Sequence, residues 1–210
     1  MSTARPPLRE RKKQRTRAAL IDTALDLFTR QGFANTTLDE LCDAVEVSKR
    51  TFFRNFTSKE DVAMAPARDL WAAFLSELRV REPDGRPLAE SIMDTLLAAV
   101  AAMPAYGWAD RLALSLNLAA VTPSMNANGL GLRDRTIRES LEILGDRLVL
   151  PDDVRPRLAM DVVVAAFDIA LERWVRRPGP RVPAGLAAEA REVFAAAPGC
   201  LTLTVEPRSR

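Results

Sequence analysis

The chain has 210 residues, 48% of them hydrophobic and 28% charged, with a net charge of only +2; that composition supports a buried core and argues against wholesale disorder. No uninterrupted apolar run approaches the roughly 20 residues that span a bilayer, the two cysteines form no metal or disulfide pattern, and histidine is absent, which removes the usual general base, the commonest zinc ligand and the near-neutral pH switch together. A cytoplasmic protein with no cofactor, no metal and no membrane association is expected, and catalysis is disfavoured.

Charge is uneven along the chain. Residues 1–60 carry 12 Lys or Arg against 8 Asp or Glu, and at the start Arg5, Arg9, Arg11, Lys12, Lys13, Arg15 and Arg17 are opposed by Glu10 alone. Such a run is either a solvated tail or a basic arm leading into a DNA-binding unit, and the residues after it decide between the two. It does not lead into a signal-peptide core, because Asp22 and Asp26 interrupt the apolar stretch.

A first long helix is predicted from about Arg9 to Arg30, with Ile21, Ala24, Leu25 and Phe28 on one apolar face. Gly32 stands where a left-handed C-terminal cap belongs, and Phe33 beyond it is placed to fold back onto the helix. Thr37-Leu38-Asp39-Glu40 is a capping box that starts a second, short helix, with Leu38, Leu41, Cys42 and Val45 on its inner face. Ser48 is a good N-cap for a third helix, Lys49 to Phe56, and Ser58 caps a fourth. Two short helices joined by a turn of about three residues, propped by a longer one, make a helix-turn-helix.

Over residues 16–64 the chain resembles the DNA-binding domain of the TetR family of transcriptional regulators. The resemblance is carried by Ala24-Leu25-Asp26-Leu27-Phe28, Gln31-Gly32-Phe33, Thr36-Thr37-Leu38-Asp39-Glu40-Leu41 and Ala44-Val45-Glu46-Val47-Ser48, then by Thr51-Phe52-Phe53-Arg54-Asn55-Phe56 and Ser58-Lys59-Glu60-Asp61. The residues expected at DNA are Thr37, Ser48, Lys49, Arg50, Thr51, Phe53, Arg54, Asn55 and Lys59. Lys49 and Arg50 occupy the opening turn of the third helix, where long donors reach guanine O6 and N7. Lys59 resembles the family's phosphate-clamping lysine. Phe52 and Phe56 are read as packing residues.

Two positions depart from the family pattern. Glu46 stands where the family usually has glycine; the turn then needs a non-glycine residue in a left-handed conformation, at a cost of about 1 kcal/mol, with the carboxylate facing solvent. Phe53 replaces the family's usual tyrosine, so a ring remains for the sugar-phosphate backbone but a hydroxyl is lost.

Beyond residue 65 the chain keeps helical pattern without motif. Helices are predicted near 59–80, 87–103, 106–121, 130–148, 152–176 and 184–197, with breaks at 82–87, 123–131, 150–151, 178–180 and 198–199, and an extended or irregular tail from Leu201. Trp71, Phe74, Met93, Met103, Tyr106, Trp108, Asn117 and Met125 are candidates for an apolar or aromatic effector pocket, and ordinary core packing explains them equally well. Val163, Phe167, Ala170 and Trp174, with Leu186, Val193 and Phe194, form two stripes. The resemblance implies a four-helix bundle between two copies there; intramolecular core is the equal alternative.

The expectation is an all-α chain of about nine helices. It comprises a basic arm (1–15), a three-helix helix-turn-helix domain (16–64), and a helical effector-binding and dimerisation domain (65–210). The function expected is sequence-specific regulation of transcription. A homodimer binds double-stranded DNA at a palindromic operator, acts as a repressor, and is released by an unidentified small, lipophilic effector. The alternative is a helical small-molecule-binding dimer with an architectural or vestigial DNA-binding head.

Overall fold

Residues 7–204 are described by the computed structural model, and among them there are ten α-helices, one 3-10 turn and no strand. Arg5, in the basic run, lies outside the described residues, as does the tail beyond residue 204. Helix α1 (Leu8–Gln31) buries Leu20, Ile21, Ala24, Leu25, Leu27 and Phe28. Its apolar residues lie in the second half, so the basic first half stays largely exposed. The helix ends at Gly32, whose N–H donates to the Phe28 carbonyl at 3.1 Å. Gly32 has φ +88° with ψ 145°, a glycine-only conformation rather than the left-handed helical one expected. Phe33 does fold back, its ring centroid 4.8 Å from that of Phe28.

Helices α2 (Leu38–Ala44), α3 (Lys49–Phe53) and α4 (Lys59–Ala63) are short, and each begins at a hydroxyl cap. At Thr37 both halves of the capping box form. The Thr37 hydroxyl accepts from the Glu40 N–H at 3.2 Å, and the Glu40 carboxylate accepts from the Thr37 N–H at 2.7 Å. Ser48 and Ser58 accept from the N–H groups three residues on, at 3.2 and 3.1 Å. Glu46 takes φ +55°, the only positive φ among described non-glycine residues, and is exposed, as its place in the turn requires. Phe28, Phe52, Phe56, Leu25 and Leu41 are buried to within about 1%. Burial of each such side chain stabilises the fold by roughly 1.5–3 kcal/mol.

Then come α5 (Ala65–Val80), α6 (Leu88–Ala101), α7 (Trp108–Val121), α8 (Pro123–Arg147), α9 (Arg155–Arg176) and α10 (Pro183–Ala196). Three differences from the sequence reading follow, the first two with evident physical causes. The single helix expected over 59–80 breaks at Met64, because Pro66 has no N–H for the Val62 carbonyl and its ring crowds that carbonyl. The break expected at 123–131 is instead helix from its first residue. Pro123 suits an opening helical position, and Gly129 lies where an added Cβ would come within 3.3 Å of the Met64 methyl. The tail expected to be extended from Leu201 begins within a 3-10 turn, Ala197–Thr202.

The chain divides into two compact units. One comprises the residues up to Arg68 with Asp110–Leu132; the other comprises Asp69–Ala109 with the residues from Arg133 onward. In the first, α1 packs on α2 and α4. Arg111 of α7 joins Asp22 of α1 at 3.0 Å, and Ser115 donates to the Met64 sulfur at 3.6 Å. In the second, α6, α9 and α10 pack together. Phe167 stands at the centre, stacked on Phe194 at 6.4 Å and edge-on to Trp71 at 5.8 Å. Glu189, fully buried on α10, joins Arg173 of α9 at 2.8 Å and also Arg177.

Candidate nucleic-acid interface

The caps determine which side chains of the head face outward. With Ser48 bonded to the Thr51 amide, α3 starts at Lys49 and turns Phe52 inward, where it is fully buried. Lys49, Arg50, Phe53 and Arg54 are then exposed, and Phe53 keeps 55% of its surface. Its ring meets Phe52 edge-on at 5.4 Å. Phe56 is buried and lies 5.5 Å beneath the guanidinium of Arg17. Both inward rings thus have the packing role expected of them.

The polar residues differ in how much donor capacity they retain. The side chains of Arg50 and Arg54 have no hydrogen-bonded or ionic partner among the described residues. Lys49 is paired: its ammonium lies 2.7 Å from Asp39 of α2, and that contact raises its pKa. Thr37 is engaged in its capping box, which holds the Glu40 carboxyl below the ordinary glutamate range through hydrogen bonds from the Thr37 amide and hydroxyl. The Thr51 hydroxyl shares a hydrogen bond with Ser48 at 3.1 Å.

Lys59 and Asn55 depart most from the expected arrangement. The Lys59 ammonium donates to the carbonyls of Phe33 and Thr36 at 2.9 and 2.7 Å, and sits 4.7 Å over the Phe33 ring. Two of its three donors therefore hold the α1–α2 loop in place, and one remains. Asn55 is half-buried; its amide nitrogen donates to the Thr51 carbonyl at 2.8 Å, while its carbonyl oxygen is buried without a partner. It lines a surface hollow between the first half of α1 and the C-terminal end of α3, together with Arg9, Lys13, Thr51, Arg54 and the single acid Glu10. The basic stretch from Arg9 is helical, as expected for the first helix. The Asp39–Lys49 pair was not anticipated, because Asp39 reads in sequence only as an acidic residue in the first turn of a helix.

The second set of candidates is only partly brought together. Trp71 and Phe74 are buried with ring centroids 5.9 Å apart. Trp108 is buried and Met93 and Met103 are half-buried in the same unit, but Tyr106 keeps 91% of its surface. Asn117 and Met125 belong to the other unit, the first exposed and the second buried.

The residues of the two candidate stripes are largely covered by their own chain. Val163, Phe167, Ala170 and Leu186 are fully buried within one chain, Trp174 and Phe194 nearly so, and Val193 is half-buried. They pack α9 and α10 into their own unit, because the larger apolar residues take the inner face. The outward face of α9 carries Leu158, Val162, Ala165 and Ile169, and that of α10 carries Ala184, Ala188 and Ala195. This outward row repeats at the same helical spacing as the buried one beside it.

Comparison with known proteins places the head among characterised folds. Residues 20–65 match the family model described as bacterial regulatory proteins, tetR family. The HTH-type transcriptional regulator TcmR of Streptomyces glaucescens is 36% identical over 179 residues, covering 82% of this chain and 78% of TcmR. Two solved structures share the fold. FadR of Thermus thermophilus, a TetR-family repressor solved with lauroyl-CoA, has a TM-score of 0.52 at 23% identity, covering 92% of this chain and 99% of that one. SmeT, the repressor of a Stenotrophomonas maltophilia multidrug efflux pump, has a TM-score of 0.54 at 17% identity, covering 90% of this chain and 91% of that one. These relatives are regulators of transcription, not enzymes.

Proposed function

The chain belongs to the TetR family of DNA-binding transcriptional regulators, and on that premise we propose that it is a cytoplasmic homodimeric repressor, binding a palindromic operator and released by a small lipophilic ligand. The observation that carries this reading is the opening of α3. A five-residue helix, capped by Ser48 and anchored by Phe52, exposes the unpartnered guanidinium of Arg50 beside Lys49. Such a helix end fits the major groove, where Arg50 reaches a guanine edge. Thr37, Ser48, Thr51, Phe53, Arg54 and the remaining donor of Lys59 serve the flanking backbone. Arg9 and Lys13 extend that cationic surface along α1.

One such helix reads only a few base pairs, so a dyad of two is required for an operator. The outward faces of α9 and α10 support this. Leu158 and Ile169 are each more than half exposed, which leaves an apolar row for a second copy to cover. The small residues on α10 permit close approach of helices. The second unit, with Trp71, Phe74 and Trp108, is the proposed effector domain, and the lauroyl-CoA bound by FadR supports an effector with an apolar portion. Such a ligand must bind the DNA-bound and DNA-free forms with different affinities in order to act.

The test is selection of bound sites from random duplex DNA by the purified protein, followed by sedimentation of the complex. A palindromic consensus, two chains per duplex and affinity falling steeply with salt are expected. A monomer indifferent to every duplex at low ionic strength would overturn the proposal. Repeating the selection with acyl and aromatic compounds present tests release.

A further inference from the structure

The opening turn of α3 carries two adjacent cations that the fold treats differently. Arg50 is without a side-chain partner among the described residues, whereas Lys49 is held at 2.7 Å by a carboxylate from the neighbouring helix. Both members of that pair remain more than half exposed, 55% and 66% of their side-chain surface. Asp43, further along α2, adds negative charge around the same ammonium.

We infer that Asp39 is a selectivity residue: it withholds Lys49 from the phosphates of arbitrary duplex and, with it, forms a donor–acceptor couple suited to the edge of a G·C base pair. This rests on the DNA-reading role proposed above. A phosphate offers acceptors only, and while the pair holds, the two remaining donors of Lys49 carry a charge that the Asp39 carboxylate largely cancels, so the full charge reaches a phosphate only if Lys49 turns away from Asp39. The major-groove edge of a G·C pair offers guanine O6 and N7 as acceptors and cytosine N4 as a donor. There the ammonium and the carboxylate both find partners without separating. Exposed ion pairs are individually weak, so the result is a bias rather than a block, repeated in each head of a dimer.

A double-substitution cycle tests this, with binding to a short random-sequence duplex measured across a range of salt concentrations. Asp39→Asn is expected to raise affinity roughly two- to five-fold per head and to steepen the slope of log affinity against log salt by about 0.9 per head, as one more lysine displaces counterions. Asp39→Glu restores wild-type behaviour. Lys49→Gln alone leaves the slope unchanged, and in that background Asp39→Asn gains nothing. The ratio of affinity for the selected site to that for the random duplex falls in Asp39→Asn.

An Asp39→Asn protein with wild-type slope and affinity overturns the inference. So does a gain that persists without Lys49, which would make Asp39 a mere repulsive charge, and so does a Lys49→Gln protein with a flattened slope. These outcomes are separate from failure of the regulator reading, in which the wild-type protein ignores duplex DNA altogether.

Discussion

The head and the body of this chain use polar residues in opposite ways. In the head, each short helix is started by a hydroxyl whose partner lies three residues away, and the informative charges stand on the surface: Thr37 with Glu40, Ser48 with Thr51, Ser58 with Asp61. In the body, the organising groups are interior and distant in sequence. Phe167 meets Trp71, and Glu189 gathers Arg173 and Arg177 from another helix. Local interactions leave a signature that a short window of sequence displays, whereas remote ones leave only composition. Recognition and stability should therefore be separable by substitution, and five substitutions press on that division.

The largest effect belongs to the body. Phe167→Ala removes a ring with no exposed surface from between two aromatic neighbours and should cost about 3–5 kcal/mol in denaturant unfolding. The base preference of the protein that remains folded should not change. Next comes Arg50→Ala, expected to weaken specific binding by roughly 1–3 kcal/mol and to relax preference at one base pair, with the melting temperature unmoved. A shifted melt for Arg50→Ala, or an altered site preference for Phe167→Ala, would break the division.

Thr37→Ala sits on the border. Loss of the cap should cost ~1 kcal/mol of stability and lower DNA affinity as well. Its partner adds a pH signature. Because Glu40 titrates below its ordinary value in the folded chain, its contribution is present above the ordinary glutamate pKa and is lost as pH falls through the depressed one. The stability advantage of wild type over Glu40→Gln, read from thermal melts, should therefore shrink on acidification from neutral pH and not on alkalinisation. The smallest effect is a gain. Glu46→Gly relieves a left-handed backbone, largely offset by glycine's greater unfolded entropy, and should stabilise by at most roughly 0.5 kcal/mol.

How much was legible in the sequence obeys the same division. The caps, the left-handed turn at Glu46 and the inward Phe52 and Phe56 are all readable, because each is signalled by residues within four positions of it. The role of Lys59 was only half readable. Its ammonium is drawn to the Phe33 and Thr36 carbonyls, more than twenty residues away, and no local pattern announces that. The helical start at Pro123 was missed because proline signals both a break and an opening helical residue. Whether the two stripes on α9 and α10 serve core or interface is not written in the sequence, since periodicity identifies an apolar row without saying whether its own chain covers it.

The brevity of α3 has a consequence for how such a protein could be silenced. Five residues lie far below the length at which a helix persists in water, so the reading surface exists only while Phe52 and Phe56 stay clamped in the interior. In the dimer proposed above, recognition would then end without the two heads moving apart. A modest loosening around those two rings would melt the reader where it stands, and the affinity for DNA would then report the tightness of a hydrophobic joint that never touches a base.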